Sequence, residues 1–143
     1  MLRPLAITVE LHHLSEKLDQ QLLDVLIDQA GIADSIAPDQ YAEAYRFCDN
    51  YAERVHQINL IEQICHRLDG IVRSPLTGPA LSIAKHPLRS AGHVEMVEFL
   101  ERGYHAFQRM HGSHHFRKTI KERELGILDR IYANDPNPFA VEW

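Results

Sequence analysis

An all-α fold follows from three features of this 143-residue chain. Apolar residues recur every three to four positions over long stretches, Gly and Pro mostly fall between those stretches, and no run of any length alternates as a half-buried strand would. The broadest periodic stretch is GHVEMVEFLERGYHAFQRMHG, from Gly92 to Gly112. At about 100° per residue, Val97, Leu100, Tyr104 and Phe107 share one stripe, with Met96, Phe99, Gly103, Ala106 and Met110 on a second stripe beside it. Together they form an apolar arc roughly 160° wide, broader than the face of an ordinary surface helix. The opposite stripe, Glu95, Glu98, Arg102, His105 and Arg109, is polar throughout. Such a helix is expected to be touched on more than one side. Gly103, which costs about 1 kcal/mol against Ala in a helix, would let another helix approach closely. The expectation is a single domain over residues 1–143, a bundle of five to six helices with residues 92–112 as its hub.

The remaining elements follow in order. From Pro4, a good first-turn residue, Ile7, Leu11, Leu14, Leu18, Leu22 and Val25 mark a long amphipathic helix that ends near Ala30, with Gly31 as its C-cap. GIADSIAP is a loop, and Pro38 opens a short helix through Tyr41, Ala44, Tyr45 and Cys48. Asn50 and Glu53 have the spacing of a capping box. The third helix that follows carries Val55, Ile58, Ile61, Cys65, Leu68 and Val72 on one face, and Ser74-Pro75 stops it. Thr77 and Pro79 start a short helix expected to end before Pro87, and the hub helix begins near Ser90. His111-Gly112-Ser113 breaks the chain, and Ser113 caps a last helix with Phe116, Ile120, Ile127 and Ile131 inward. NDPNP, Asn134–Pro138, is turn-rich, and the alternating tail Phe139, Val141 and Trp143 is suited to docking on the bundle or on a partner.

Composition excludes several function classes. The apolar fraction of 45% and charged fraction of 24% are those of a soluble globular chain long enough to bury a core without staples. Residues 1–80 hold 12 acidic and 6 basic residues, net −6, while residues 81–143 hold 8 and 9, net +1. That asymmetry is too mild to predict a general affinity for nucleic acid. Cys48 and Cys65 make neither a disulfide framework nor a metal pattern and read as buried reduced thiols. The N-terminus carries Glu10 and two histidines where a signal peptide needs an apolar run, and no apolar stretch approaches the ~18 residues of a membrane span. A cytoplasmic protein is expected.

Ten histidines are conspicuous in a chain of this length. Two Glu-x-x-His units, Glu10–His13 and Glu53–His56, have the spacing found in di-iron bundles. Helical geometry turns both away from their apolar faces, toward solvent, where ligands do not converge. His111, His114 and His115 at the break are weak candidates for Zn²⁺ or Ni²⁺, with no Cys or acid nearby to close the site. His12 lies nearer the apolar face and reads as a satisfied core histidine, with Glu16 one turn on as its partner. No cofactor is expected. Arg117, Lys118 and Lys121 head a basic run that could touch phosphate or nucleic acid, but Glu122 and Glu124 dilute it, and Lys118 faces Glu122. No nucleophile elbow, P-loop or dinucleotide fingerprint occurs. Glu98, Arg102 and His105 form the one compact trio with acid–base potential, and they lie on the polar stripe, where surface pairing is the expected role.

Five blocks, ELHHLSEKLD (Glu10–Asp19), QINLIEQICHRLD (Gln57–Asp69), HPLRSAG (His86–Gly92), EFLERGYHAFQRMHG (Glu98–Gly112) and KERELGILDRIYANDPNPF (Lys121–Phe139), resemble the C-terminal portion of the bacterial FFLEELY-motif proteins. The family's naming motif belongs upstream of these blocks and is absent from this chain, as expected of a short member or a truncated form. The resemblance implies a bacterial, helical, cytosolic protein and carries no activity, cofactor or catalytic residue with it. The first functional expectation is therefore a non-catalytic interaction or self-association domain, a homo-oligomer or the binder of another protein, using Tyr104, Phe107, Phe139 and Trp143. A metal- or small-molecule-binding bundle with enzymatic activity, resting on the histidine count, is the second. Weak nucleic-acid binding through the last helix is the third.

Overall fold

The computed structural model describes residues 3–31 and 35–140. Six helices run in order: α1 (Arg3–Ala30), α2 (Pro38–Phe47), α3 (Tyr51–Arg73), α4 (Thr77–Ser90), α5 (Val94–Arg109) and α6 (His114–Tyr132). No strand occurs among the described residues, and none of their helices is long and apolar enough to cross a membrane. The all-α expectation holds.

Local chemistry explains most boundaries. Gly31 takes φ +71° and donates its N–H to the Ile27 carbonyl at 2.9 Å, the left-handed cap that closes α1. Pro38 sits in the first turn of α2, and the Gln40 side chain reaches back to accept the Ala37 N–H at 3.0 Å. His111 (φ +53°) and Gly112 (φ +126°) break the chain before α6, where Ser113 stands at the cap position, its carbonyl accepting the Arg117 N–H.

Two boundaries differ from expectation. Asn50 precedes α3 without forming the capping box. Its N–H donates to the Tyr132 hydroxyl at 3.1 Å, its Nδ2 donates to Gln21 at 3.0 Å, and Glu53 pairs with Lys17 instead. Tertiary partners outcompete the local ones. The helix α4 does not end before Pro87 but runs through it to Ser90. Proline removes the donor for the carbonyl of Ile83, and Ile83, 78% exposed, lies where water can replace it. That late end moves the start of α5 from Ser90 to Val94.

The chain divides into two compact units, Met1–Ile64 with Lys118–Trp143, and Cys65–Arg117. The first unit holds most of the core: Leu18, Leu22 and Leu26 of α1, Ala42 and Ala44 of α2, Ile58 and Leu60 of α3, and Leu128 and Ile131 of α6. Polar groups tie these helices together. Arg54, 5% exposed, donates from Nη2 to the Leu18 carbonyl at 3.0 Å and from Nη1 to Gln57 at 3.2 Å. Gln57 in turn donates to the Ser15 hydroxyl at 2.8 Å. Tyr51 and Tyr132 meet edge to face at 5.2 Å, and the Tyr51 hydroxyl donates to Asp129. Cys48 and Cys65 are half-buried and form no disulfide, and burial pushes the Cys48 thiol up.

In the second unit α4 and α5 pack side by side. Lys85 and Arg89 of α4 both reach Glu101 of α5, at 3.3 and 3.1 Å. Tyr104 lies over Gly78, whose missing side chain makes room: a Cβ there would stand 2.9 Å from the Tyr104 hydroxyl. Val97 is fully buried, the only apolar side chain of this unit that is buried among the described residues.

Candidate interaction surface

The helix α5 carries the broad apolar arc but is not the expected hub: it packs side by side with α4, and much of the arc stays uncovered among the described residues. Val97 is buried and Tyr104 and Phe107 are half-buried, so the first stripe faces inward at these positions, while its fourth member, Leu100, is exposed. Tyr104 accepts a hydrogen bond from Gln108 at 2.7 Å, and Phe107 meets Phe116 edge to face at 6.5 Å. These two expected interaction residues are thus occupied within their own unit. Most of the second stripe is uncovered among the described residues, with Met110 half-buried at its end. Met96 and Phe99 are exposed, Phe99 by 68%, and so are Gly103 and Ala106. A Cβ built on Gly103 would meet nothing within 4 Å, so the close approach that this glycine permits is not used inside the chain.

The charged stripe beside it is free as well. Glu101 is held by α4, but among the described residues Glu95, Glu98, Arg102 and Arg109 are exposed and in no ion pair. His105 is exposed and touches only the Tyr104 ring at 5.5 Å. The trio Glu98, Arg102 and His105 therefore shows no ion pair among the described residues, and all three side chains are exposed. The helix is acidic in its N-terminal half and basic in its C-terminal half. The neighbouring helix α4 also turns an apolar stripe outward: Leu76 at its N-cap, Ala80, Ile83 and Pro87 are all exposed. Apolar patches of this kind mark contact surfaces in folded proteins.

The other sequence candidates take different places. Phe139 packs on Tyr41 of α2 at 6.0 Å, so the tail docks on its own unit at this point; Trp143 lies outside the described residues. His111 contacts the Arg109 carbonyl through Nδ1 at 2.7 Å, and His114 and His115 are exposed in the first turn of α6. No group of three or more His, Cys, Asp and Glu side chains converges among the described residues. The two Glu-x-x-His units do meet, crosswise and at the surface: Glu10 lies 2.7 Å from His56, and Glu53 pairs with Lys17. His12 reaches Glu16 at 3.5 Å as its spacing predicts, but both are exposed, so it is no core histidine. In the basic run, Lys118 faces Glu122 at 3.8 Å, Arg117 donates from Nε to Ser113 Oγ at 3.0 Å, and Lys121 is half-buried.

Sequence reasoning passed over Arg54, the most buried charge among the described residues. The available signal was its place one turn before Ile58, which puts a guanidinium on the inward face of α3.

No curated protein and no solved structure is similar enough to this chain to register as a match. A family model described as "Domain of unknown function (DUF8198)" matches residues 1–138, nearly the full length. The chain belongs to that family, and the two outward apolar stripes of its second unit belong to one of its members.

Proposed function

We propose that this protein is a non-catalytic self-association module, and that the partner covering the second stripe of α5 is a second copy of the same chain. The observation that supports it is the distribution of size and charge along α5. In an antiparallel pair related by a two-fold axis beside Gly103, Phe99 of one copy falls opposite Ala106 of the other, large against small. The same register sets Glu95 against Arg109, so the acidic half of each helix meets the basic half of its partner. A two-fold interface must be self-complementary in this way. A single helix pair lies at the small end of specific interfaces, so a dissociation constant on the order of micromolar is expected. The resemblance to bacterial FFLEELY-motif proteins brings no catalytic residue that would argue for chemistry instead.

Sedimentation equilibrium tests this. The wild-type chain is expected to be dimeric at tens of micromolar, and Phe99→Asp to be monomeric with an unchanged helical circular-dichroism spectrum. A wild-type chain that stays monomeric throughout that range overturns the proposal.

A further inference from the structure

The first unit contains a cavity of about 460 Å³, within the size range of small-molecule sites. Its apolar wall includes Ile58, Ile61, Ile127 and Phe139, and its other lining residues include Arg54, Gln57, Glu124, Tyr41 and Tyr45. Arg54 is the unusual member. It is 95% removed from solvent, its guanidinium stands over the Tyr45 ring at 4.6 Å, and its Nε–H has no acceptor among the described residues. The carboxylate within reach is Asp19, 3.5 Å from Nη1 and itself 72% exposed. Its charge is largely spent on water. Burying a cation without a desolvated counter-ion is costly, and Arg is the side chain best shaped to hold a carboxylate through adjacent N–H groups.

We infer that this cavity binds a small carboxylate with an aromatic or branched apolar body, its carboxylate on the Arg54 guanidinium and its body against Ile58, Ile61 and Ile127. The two tyrosines fit that role. Burial pushes the Tyr45 hydroxyl up to about 12 and raises that of Tyr41 as well, so both stay neutral donors at physiological pH. Glu124 is exposed, so water screens its repulsion of an anion. The apolar wall selects against inorganic anions, which would leave it wet.

The test uses the full chain with 3-phenylpropionate, 4-methylpentanoate and benzoate, each against its carboxamide, by isothermal titration calorimetry. At least one acid is expected to bind with a sub-millimolar constant and its amide at least about tenfold more weakly. Arg54→Gln is expected to remove the preference for the acid while inorganic phosphate remains unbound by either chain. Should that variant fail to fold, Ile61→Trp, which fills the cavity from a half-buried wall position, is expected to abolish acid binding. The inference is overturned if none of the three acids binds at millimolar concentration, if acid and amide bind equally, or if acid binding survives in a folded Arg54→Gln or Ile61→Trp chain.

Discussion

The two units of this chain use apolar side chains in opposite ways. In the first, Leu18, Leu22, Leu26, Ile58, Leu60, Leu128 and Ile131 are buried among four helices. In the second, Val97 is buried while Leu76, Ile83, Met96 and Phe99 lie exposed. A segment of that size buries a smaller fraction of its surface on folding than a larger one does, so more of its apolar surface is left outside. The difference teaches where to look for stability and where to look for association.

That contrast is most sharply probed by matched truncations. Leu18→Ala in the first unit is expected to cost about 3–5 kcal/mol of unfolding free energy by urea titration, as buried leucines do. Phe99→Ala in the second should leave monomer stability within about 0.5 kcal/mol, because an exposed side chain loses little on removal. Comparable losses at both positions would erase the distinction between the units.

The next probe concerns charge. Glu95→Arg is expected to weaken association by about 1 kcal/mol, and adding Arg109→Glu to restore it, since the antiparallel register pairs these positions. Failure of the double substitution to recover affinity, read by sedimentation, would remove the register. Alkaline titration addresses the first unit alone. Tyr45 is raised from 10.0 to about 12 in the folded chain, so its contribution to stability is present below pH 10 and is lost as pH rises toward 12. A denaturation midpoint that begins to fall only above pH 12 would contradict this burial. The smallest effect belongs to the surface pair Lys17–Glu53. Lys17→Met should cost no more than about 1 kcal/mol in either unit's unfolding, the usual worth of an exposed ion pair.

Helix content was legible because periodicity reports local structure directly. The left-handed Gly31 and the Pro38 start are sequence-local events, and both occur as read. Where a residue had tertiary choices, local reading failed. Asn50 turned its N–H to Tyr132 and its Nδ2 to Gln21, leaving Oδ1 without a hydrogen bond among the described residues, and Pro87 was carried inside α4 because its lost hydrogen bond faces solvent at Ile83. The width of the α5 arc was legible in the sequence, but the neighbours on more than one side that it led us to expect are not found among the described residues: α4 packs beside α5, and Met96, Phe99 and Leu100 stay exposed. Arg54 escaped notice for the complementary reason: its place one turn before Ile58 marks the inward face, but a single charge there adds no periodic signal of its own, and its packing over Tyr45 is a tertiary event.

The central claim is that a second copy covers the outer stripe of α5. An isotope-filtered nuclear Overhauser experiment on a one-to-one mixture of labelled and unlabelled chains tests it most directly. Contacts between the Phe99 ring of one chain and the Ala106 methyl of the other are the predicted result. A dimer whose interchain contacts avoid α5, or a sample with no interchain contacts at concentrations well above micromolar, would contradict it.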